Sequence, residues 1–413
     1  MTRVLLTGNG AAAWGARLAD VDYVPAFPIT PQTEIVETLA RWTECGDLDA
    51  RLVMLESEHS MITAAAAAAA TGVRVFTATS SQGLLYGMEM VYTVTGWRAP
   101  FVLVNVSRAL ASPITLEPDH TDVLAARDSG FLQIHCASCQ EVLDSVLIAY
   151  RLAEHEDVRL PVLVNEDGFY LSFTREPVEL PEPEGVRRFL PRFASGGIEF
   201  RASKPISQAV AVLGGTPYSY FRYETHLAAE SALVAYEGVA DAFARAFGRC
   251  WPAVERYRSD DADLVFVMLG AFATKAKDAV DRLREAGWKI GLVRPRLLRP
   301  YPEDALRQAL LGKRAAIVID QNLSMGKGGV VHTELASALY GHAGAPMLVP
   351  FIAGLGGRDI TPEEFYEMAK VAREAVVAGV APRPRLLYTE RELREVRKLQ
   401  AIAAAERGGG SST

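Results

Sequence analysis

Four cysteines in 413 residues leave little material for metal or disulfide chemistry. Only Cys136-Ala-Ser-Cys139 brings two of them together. A CxxC can be a redox pair or half of a metal site, but no second CxxC and no histidine pair completes a set, and a four-thiolate cluster needs closely grouped ligands. The chain itself is expected to carry no metal and no cluster, and the pair is expected to pack. Uninterrupted apolar runs of bilayer-spanning length are missing, and the run Val4 to Leu6 behind a single Arg3 is too short for a signal peptide. A cytoplasmic protein is therefore expected. No long basic run is present and the net charge is −7, so nothing favours nucleic acid or a membrane surface as a partner.

Complete phosphate-binding motifs are missing as well. Gly8-Asn9-Gly10-Ala11-Ala12-Ala13 approaches a dinucleotide fingerprint, but Asp20 and Asp22 come before the next apparent strand, whereas the ribose-binding acid should follow it. A turn opening an alanine-rich helix accounts for these glycines. Gly326-Lys327-Gly328-Gly329 lacks the G-x-x-x-x-G-K-[ST] spacing and the Mg²⁺-binding hydroxyl, and reads as a tight turn before a helix. Without a complete phosphate loop, a stand-alone flavodoxin-like or nucleotide-binding protein is a poor reading.

What is present is an ordinary globular composition, 49% hydrophobic and 23% charged, long enough for two or three domains. Strand–loop–helix repeats up to Asn165 predict right-handed parallel crossovers and a doubly wound α/β sheet over residues 1–190. Proline density rises between Pro177 and Pro191, and 191–258 reads as an irregular connection with one amphipathic helix near Glu230 to Phe247. A second α/β unit is expected over 259–380. Thr361 and Glu364 form a capping-box pattern at its last helix. A charged helical tail, 381–413, ends in a stretch from Gly408 expected to be disordered.

Three places carry candidate chemistry. The apolar run Leu52 to Leu55 predicts a buried strand, with Glu56 and Glu58 just past its end and seven alanines, Ala64 to Ala70, in the helix that follows. A carboxylate at the carboxyl end of a parallel strand lies where open α/β sheets bind ligands, although an acidic first turn also satisfies helix N–H groups. Pro25, Pro28 and Pro31 force a stiff path that presents Thr30, which is either a substrate contact or a helix cap. The apolar strand up to Val106 ends in Ser107-Arg108, placing a guanidinium on the same edge.

Taken in order, Phe27-Pro-Ile-Thr-Pro31, Glu56-Ser-Glu-His-Ser60, Thr77-Ala-Thr-Ser-Ser-Gln-Gly83 and Val104-Asn-Val-Ser-Arg108 resemble the alpha subunit of the 2-oxoacid:ferredoxin oxidoreductases. Asp119-His120, Asp167-Gly168-Phe169 and Gly354-Leu-Gly-Gly-Arg-Asp359 extend the resemblance to roughly residue 375. It implies a pyrimidine-binding domain of thiamine diphosphate enzymes followed by a transketolase-C-terminal-like domain. It also implies a CoA-acylating, oxidative decarboxylation of pyruvate or of a branched or aromatic 2-oxo acid such as phenylglyoxylate. The family's aminopyrimidine-contacting glutamate falls on Glu58, its substrate-contacting threonine on Thr30 and its carboxylate-binding arginine on Arg108; Gln82 is a further cofactor contact. A carboxyl group shared with the ring nitrogen activates the cofactor, arginine grips a carboxylate in two-pronged fashion, and a rigid hydroxyl suits an oxyanion.

The diphosphate–Mg²⁺ half of such a site carries a Gly-Asp-Gly motif, and none occurs here. The resemblance therefore implies a beta subunit holding the diphosphate and Mg²⁺. It also implies gamma- and delta-type subunits with 4Fe-4S clusters, coenzyme A as co-substrate, and ferredoxin or an NAD-linked subunit as acceptor. The alanine-rich helix would then form a close-packing surface at a subunit interface. A non-catalytic subunit that keeps the fold is the alternative.

Overall fold

The computed structural model describes residues 2–195, 199–207 and 211–409. Its first half runs β1 (Thr2–Leu6), α1 (Gly8–Leu18), β2 (Tyr23–Ala26), α2 (Thr33–Glu44), β3 (Arg51–Met54), α3 (Glu58–Ala69), β4 (Phe76–Thr79), α4 (Ser81–Tyr86), α5 (Met88–Gly96), β5 (Val102–Ser107), α6 (Thr121–Ala125), β6 (Leu132–His135), α7 (Cys139–Ala153) and β7 (Val162–Asp167). Then come β8 (Glu176–Leu180), α8 (Pro183–Phe189) and α9 (Gly215–Phe247). The second half runs β9 (Val254–Tyr257), β10 (Leu264–Val267), α10 (Phe272–Glu285), β11 (Ile290–Pro295), β12 (Leu297–Arg299), α11 (Glu303–Leu310), β13 (Ala315–Asp320), α12 (Val330–Leu339), β14 (Met347–Ile352), α13 (Pro362–Ala378), β15 (Arg385–Leu386) and α14 (Glu390–Gly409).

In the first half β4, β5, β7 and β6 lie side by side and parallel. The parallel pair β2–β3 joins alongside β4 through a bridge between Tyr23 and Val75. Residues alternate across this sheet as the pleat requires. Val102, Val104 and Val106 pack with α1 and α7, whereas Leu103 packs with Met61, Val91 and Val94 of α3 and α5. Strands β4 to β7 are covered on both faces and buried at every position, whereas β3, expected to be buried, is the outer strand and exposes Arg51 and Met54. The second sheet has the order β15-β14-β13-β10-β11-β9, parallel except for β9. The halves share a core, because the cluster around Met61 and Leu103 also takes in Val265, Val293 and Leu335. Among the described residues no helix is long and apolar enough to cross a membrane.

Several elements differ from the sequence expectation. The stretch 191–258 is not irregular throughout. It carries the 33-residue α9 and the edge strand β9. The buried face of α9 begins only at Thr225 and continues through Ala228, Ala232, Tyr236 and Phe243. Its first turns expose Tyr218, Tyr220, Phe221 and Tyr223, so no amphipathic period marks them. Helices α4 and α5 meet at Gly87. A side chain there would come within 2.5 Å of Ile62 Cδ1 on α3. Of the tail expected to be disordered, Gly408 and Gly409 close α14, and 410–413 lie outside the described residues. The Thr361–Glu364 capping box is formed.

An ionic cluster joins the halves. Glu141, in the first turn of α7, accepts from Arg294 Nη2 at 2.9 and 3.0 Å and from Arg296 Nε. Arg294 also donates to Glu255 at 2.6 Å and to the His135 carbonyl at 3.1 Å. Both arginines and Glu141 are buried. Removing one partner strands the others without water, so Glu141→Ala is expected to lower unfolding stability by about 3–5 kcal/mol in a denaturant titration. Although burial works against the Glu141 charge, the two guanidiniums hold its carboxyl below the usual range. Its contribution is therefore present above the unfolded glutamate value and lost as pH falls through the folded one.

Candidate active site

The carboxyl ends of β2, β3, β4 and β5 lie on one edge of the first sheet, and each is followed by one of the residues singled out in the sequence. After β3, Ser57 caps α3 by accepting from the Ser60 amide at 3.2 Å. This makes Glu58 the first helical residue and leaves Glu56 outside. The two acids then differ sharply. Glu56 is exposed and bonds the Ser60 hydroxyl. Glu58 is 4% exposed, makes no ion pair with a described residue, and has its carboxyl pushed up by burial. Its Oε1 lies against Gly83 on α4, where a Cβ would sit 2.3 Å from it and 2.7 Å from Thr79 Oγ1. The Thr79 hydroxyl is buried and has no hydrogen-bond partner. Any residue other than glycine at 83 would displace the Glu58 carboxyl.

After β2 the chain enters the proline-stiffened turn. It is held by Asn9 Nδ2 donating to the Pro31 carbonyl at 2.9 Å, by Gln32 Nε2 donating to the Phe27 carbonyl at 2.8 Å, and by Arg108 Nη1 donating to the Thr30 carbonyl at 2.7 Å. Thr30 itself is exposed, and its peptide bond to Pro31 is cis. Arg108, after β5, is 7% exposed, and its Nη2 donates to Gln82 Oε1 at 2.6 Å. Its Nε is buried and unpartnered. Thr30, Gln82 and Arg108 thus form one bonded group, with Glu58 next to Gly83, the residue after Gln82. A guanidinium, a side-chain amide and a backbone carbonyl are bonded together at one sheet edge, with a buried carboxyl beside them.

Sequence reasoning missed the residues that hold this group in place. Asn9 sits in the glycine pair set aside as a turn, and only the fold brings α1 against the Thr30 turn. Asp122, fully buried in the first turn of α6, accepts from the amides of Ser81 and Arg108 at 2.9 and 3.2 Å. His120, two residues earlier, contacts Asp167 Oδ1 at 2.7 Å through Nε2. Asp167 in turn accepts from the Ala271 amide at 2.8 Å, and the His120 amide donates to the Gln321 carbonyl at 2.8 Å. These bonds tie the site edge to the second half.

The remaining motifs are occupied structurally. Cys136 and Cys139 are buried, and burial pushes both thiols up. The Cys139 thiol donates to the Thr174 carbonyl at 3.4 Å. Among the described residues no group of three or more His, Cys, Asp or Glu side chains could hold a metal ion. The helix that follows Gly329 is already capped by Asp320, which accepts from the Val331 and His332 amides at 2.7 and 3.1 Å.

The fold is a two-part α/β architecture with a polar site at the carboxyl edge of its first parallel sheet, and the family matches give its class, a thiamine diphosphate-binding oxidoreductase subunit. Residues 14–240 match the family described as pyruvate flavodoxin/ferredoxin oxidoreductase, thiamine diphosphate-binding, and 262–365 match pyruvate:ferredoxin oxidoreductase core domain II. Pyruvate synthase subunit PorA of Pyrococcus abyssi is 38% identical over 92% of this chain and 96% of its own length. Ketoisovalerate oxidoreductase subunit VorA of Pyrococcus horikoshii is 39% identical over 91% and 95%. A solved 2-oxoglutarate:ferredoxin oxidoreductase from Magnetococcus marinus superposes with a TM-score of 0.68 at 20% identity. That superposition covers 90% of this chain and spans 65% of the other, so the folds of both halves are shared. The chain belongs to the 2-oxoacid:ferredoxin oxidoreductase family, as an alpha-type subunit.

Proposed function

We propose that this chain supplies the catalytic half of a shared active site. The overall reaction would convert a 2-oxo acid and coenzyme A into acyl-CoA and CO2, releasing two electrons. The single observation that carries the reading is the buried Glu58 carboxyl, without a cationic partner, beside the Thr30–Gln82–Arg108 group on a chain with no Gly-Asp-Gly motif. The residues fit the pyrimidine end of thiamine diphosphate. Glu58 and the unpartnered Thr79 hydroxyl meet at Gly83, whose missing side chain lets the carboxyl lie there without a cation. When bound, that cofactor supplies the carbon nucleophile for the 2-oxo group. Glu58, whose carboxyl burial pushes up, would hold or share a proton with a ring nitrogen. Gln82 would turn from Arg108 toward cofactor or substrate. Arg108 would bind the substrate carboxylate in a charge-assisted, two-pronged manner, and the Thr30 hydroxyl would donate to the developing oxyanion.

The diphosphate and Mg²⁺ fall to a beta subunit in this reading. Gamma- and delta-type subunits would carry the 4Fe-4S clusters and pass electrons to ferredoxin or an NAD-linked acceptor. The substrate side chain is left between pyruvate and a branched or aromatic 2-oxo acid, since pyruvate- and ketoisovalerate-named relatives stand at 38% and 39% identity. The loop after Arg108 bears on that choice. It is pinned to the second half by the Gly357 amide donating to the Pro118 carbonyl at 2.7 Å, and it exposes Ile114 and Leu116. The test is an assay of the purified complex against pyruvate, 3-methyl-2-oxobutanoate, 2-oxoglutarate and phenylglyoxylate, with coenzyme A and a viologen acceptor. Acyl-CoA formation from at least one monocarboxylic 2-oxo acid is expected. A complex that assembles and oxidises none of them would leave the chain a non-catalytic subunit.

A further inference from the structure

The Arg108 group is held by an unusually well-bonded carboxylate. Asp122 is fully buried. Its Oδ2 accepts from the Ser81 amide at 2.9 Å, Asn105 Nδ2 at 3.1 Å and the Arg108 amide at 3.2 Å. Its Oδ1 accepts from the Val123 amide at 2.6 Å and lies 3.1 Å from the Ser107 hydroxyl, which also faces Asn165 Oδ1 at 2.8 Å. These donors come from three places: the β4–α4 turn, the end of β5, and the start of α6. Two of them are the amide of Arg108 itself and that of the residue before Gln82. Ser81 has a φ of +48°, a left-handed conformation that costs a non-glycine residue energy and persists when its surroundings over-determine it. The Asp122 bond to its amide and its hydroxyl bond to the Ala109 carbonyl at 2.9 Å do that. The helix bearing Asp122 is in turn anchored through His120 to Asp167 and Gln321.

We infer that Asp122 is a positioning residue for the 2-oxo-acid site. It never touches substrate; it sets the separation of the two turns so that the Arg108 guanidinium is held at a fixed place for the substrate carboxylate. The inference rests on the proposed role of Arg108 and goes beyond it by naming what holds that residue. Asparagine at 122 is close in shape but offers one acceptor oxygen and turns an amide toward donors. The turns should therefore relax while the fold stays intact.

The experiment is a double-mutant cycle in the assembled complex between Asp122→Asn and Arg108→Leu. Its readouts are the Kd of oxamate, a non-reacting isostere of pyruvate, and the KM values for the 2-oxo acid and for coenzyme A. Asp122→Asn is expected to weaken oxamate binding and raise the 2-oxo-acid KM by about 10-fold, within the range of coupled neighbours. The coenzyme A KM should stay unchanged, and in the Arg108→Leu background the substitution should add less than a further twofold. Ser107→Ala removes one neutral donor and keeps the charge, and should shift oxamate binding in the same direction by less. An equal loss in both backgrounds, or no loss from either single substitution, overturns the inference. If Arg108→Leu alone leaves oxamate binding unchanged, the underlying site reading falls first.

Discussion

Replacing Glu58 by alanine is expected to abolish 2-oxo-acid oxidation by the assembled complex while leaving subunit composition and melting temperature close to wild type. The two halves of that expectation have separate causes. A carboxyl that is buried without a cation and pushed toward protonation contributes little to folding, because its desolvation is not repaid by a partner. Its place at the start of α3 is worth about 0.3–1 kcal/mol at most when charged. Proton transfer by a positioned group, in contrast, contributes about 10²–10⁴-fold to rate. Glu58→Gln keeps the shape and loses the acidic proton, so it should be nearly as inactive. Steady-state turnover with analytical size exclusion of each variant complex checks both parts. Retained activity in Glu58→Gln would remove the proton from its role.

Arg108→Leu is expected to lower kcat/KM for the 2-oxo acid by about 2–4 kcal/mol, roughly 30- to 1,000-fold. Most of the change should fall on KM, because the substrate carboxylate is bound before it is lost as CO2. The fold should tolerate the change. Arg108 is a buried cation with an unpartnered Nε, and of its two acceptors the Thr30 carbonyl belongs to an exposed residue that water can serve. Arg108→Lys, which keeps charge without the planar fork, should fall between the two. Initial-rate kinetics over a range of 2-oxo-acid concentrations separate the cases. A KM indistinguishable from wild type would take Arg108 out of the site.

How far the sequence exposes all this depends on how local each cause is. A strand such as β10 was legible because it is buried on both faces and reads as a short unbroken apolar run. The Thr361–Glu364 cap was legible because its two partners lie three residues apart. The Thr30 turn was visible in its three prolines, and the Arg108 strand in its abrupt charged end. Choosing between Glu56 and Glu58 needed the position of Ser57 as cap, since a shift of one residue would exchange their surroundings. Asp122 was hidden because its donors are spread from Ser81 to Val123 and only the sheet order collects them. The Glu141 cluster was hidden more deeply, with its partners more than 150 residues away. The start of α9 was missed because exposed aromatics erase the amphipathic period.

The central claim is that this chain holds one end of a cofactor whose other end belongs to another subunit. Calorimetric titration of thiamine diphosphate with Mg²⁺ tests it most directly, on the purified chain alone and on the chain co-purified with its partners. The account predicts no saturable binding to the chain alone and stoichiometric binding to the complex, weakened by Glu58→Ala. Tight, Mg²⁺-dependent binding of the cofactor by the isolated chain would contradict it.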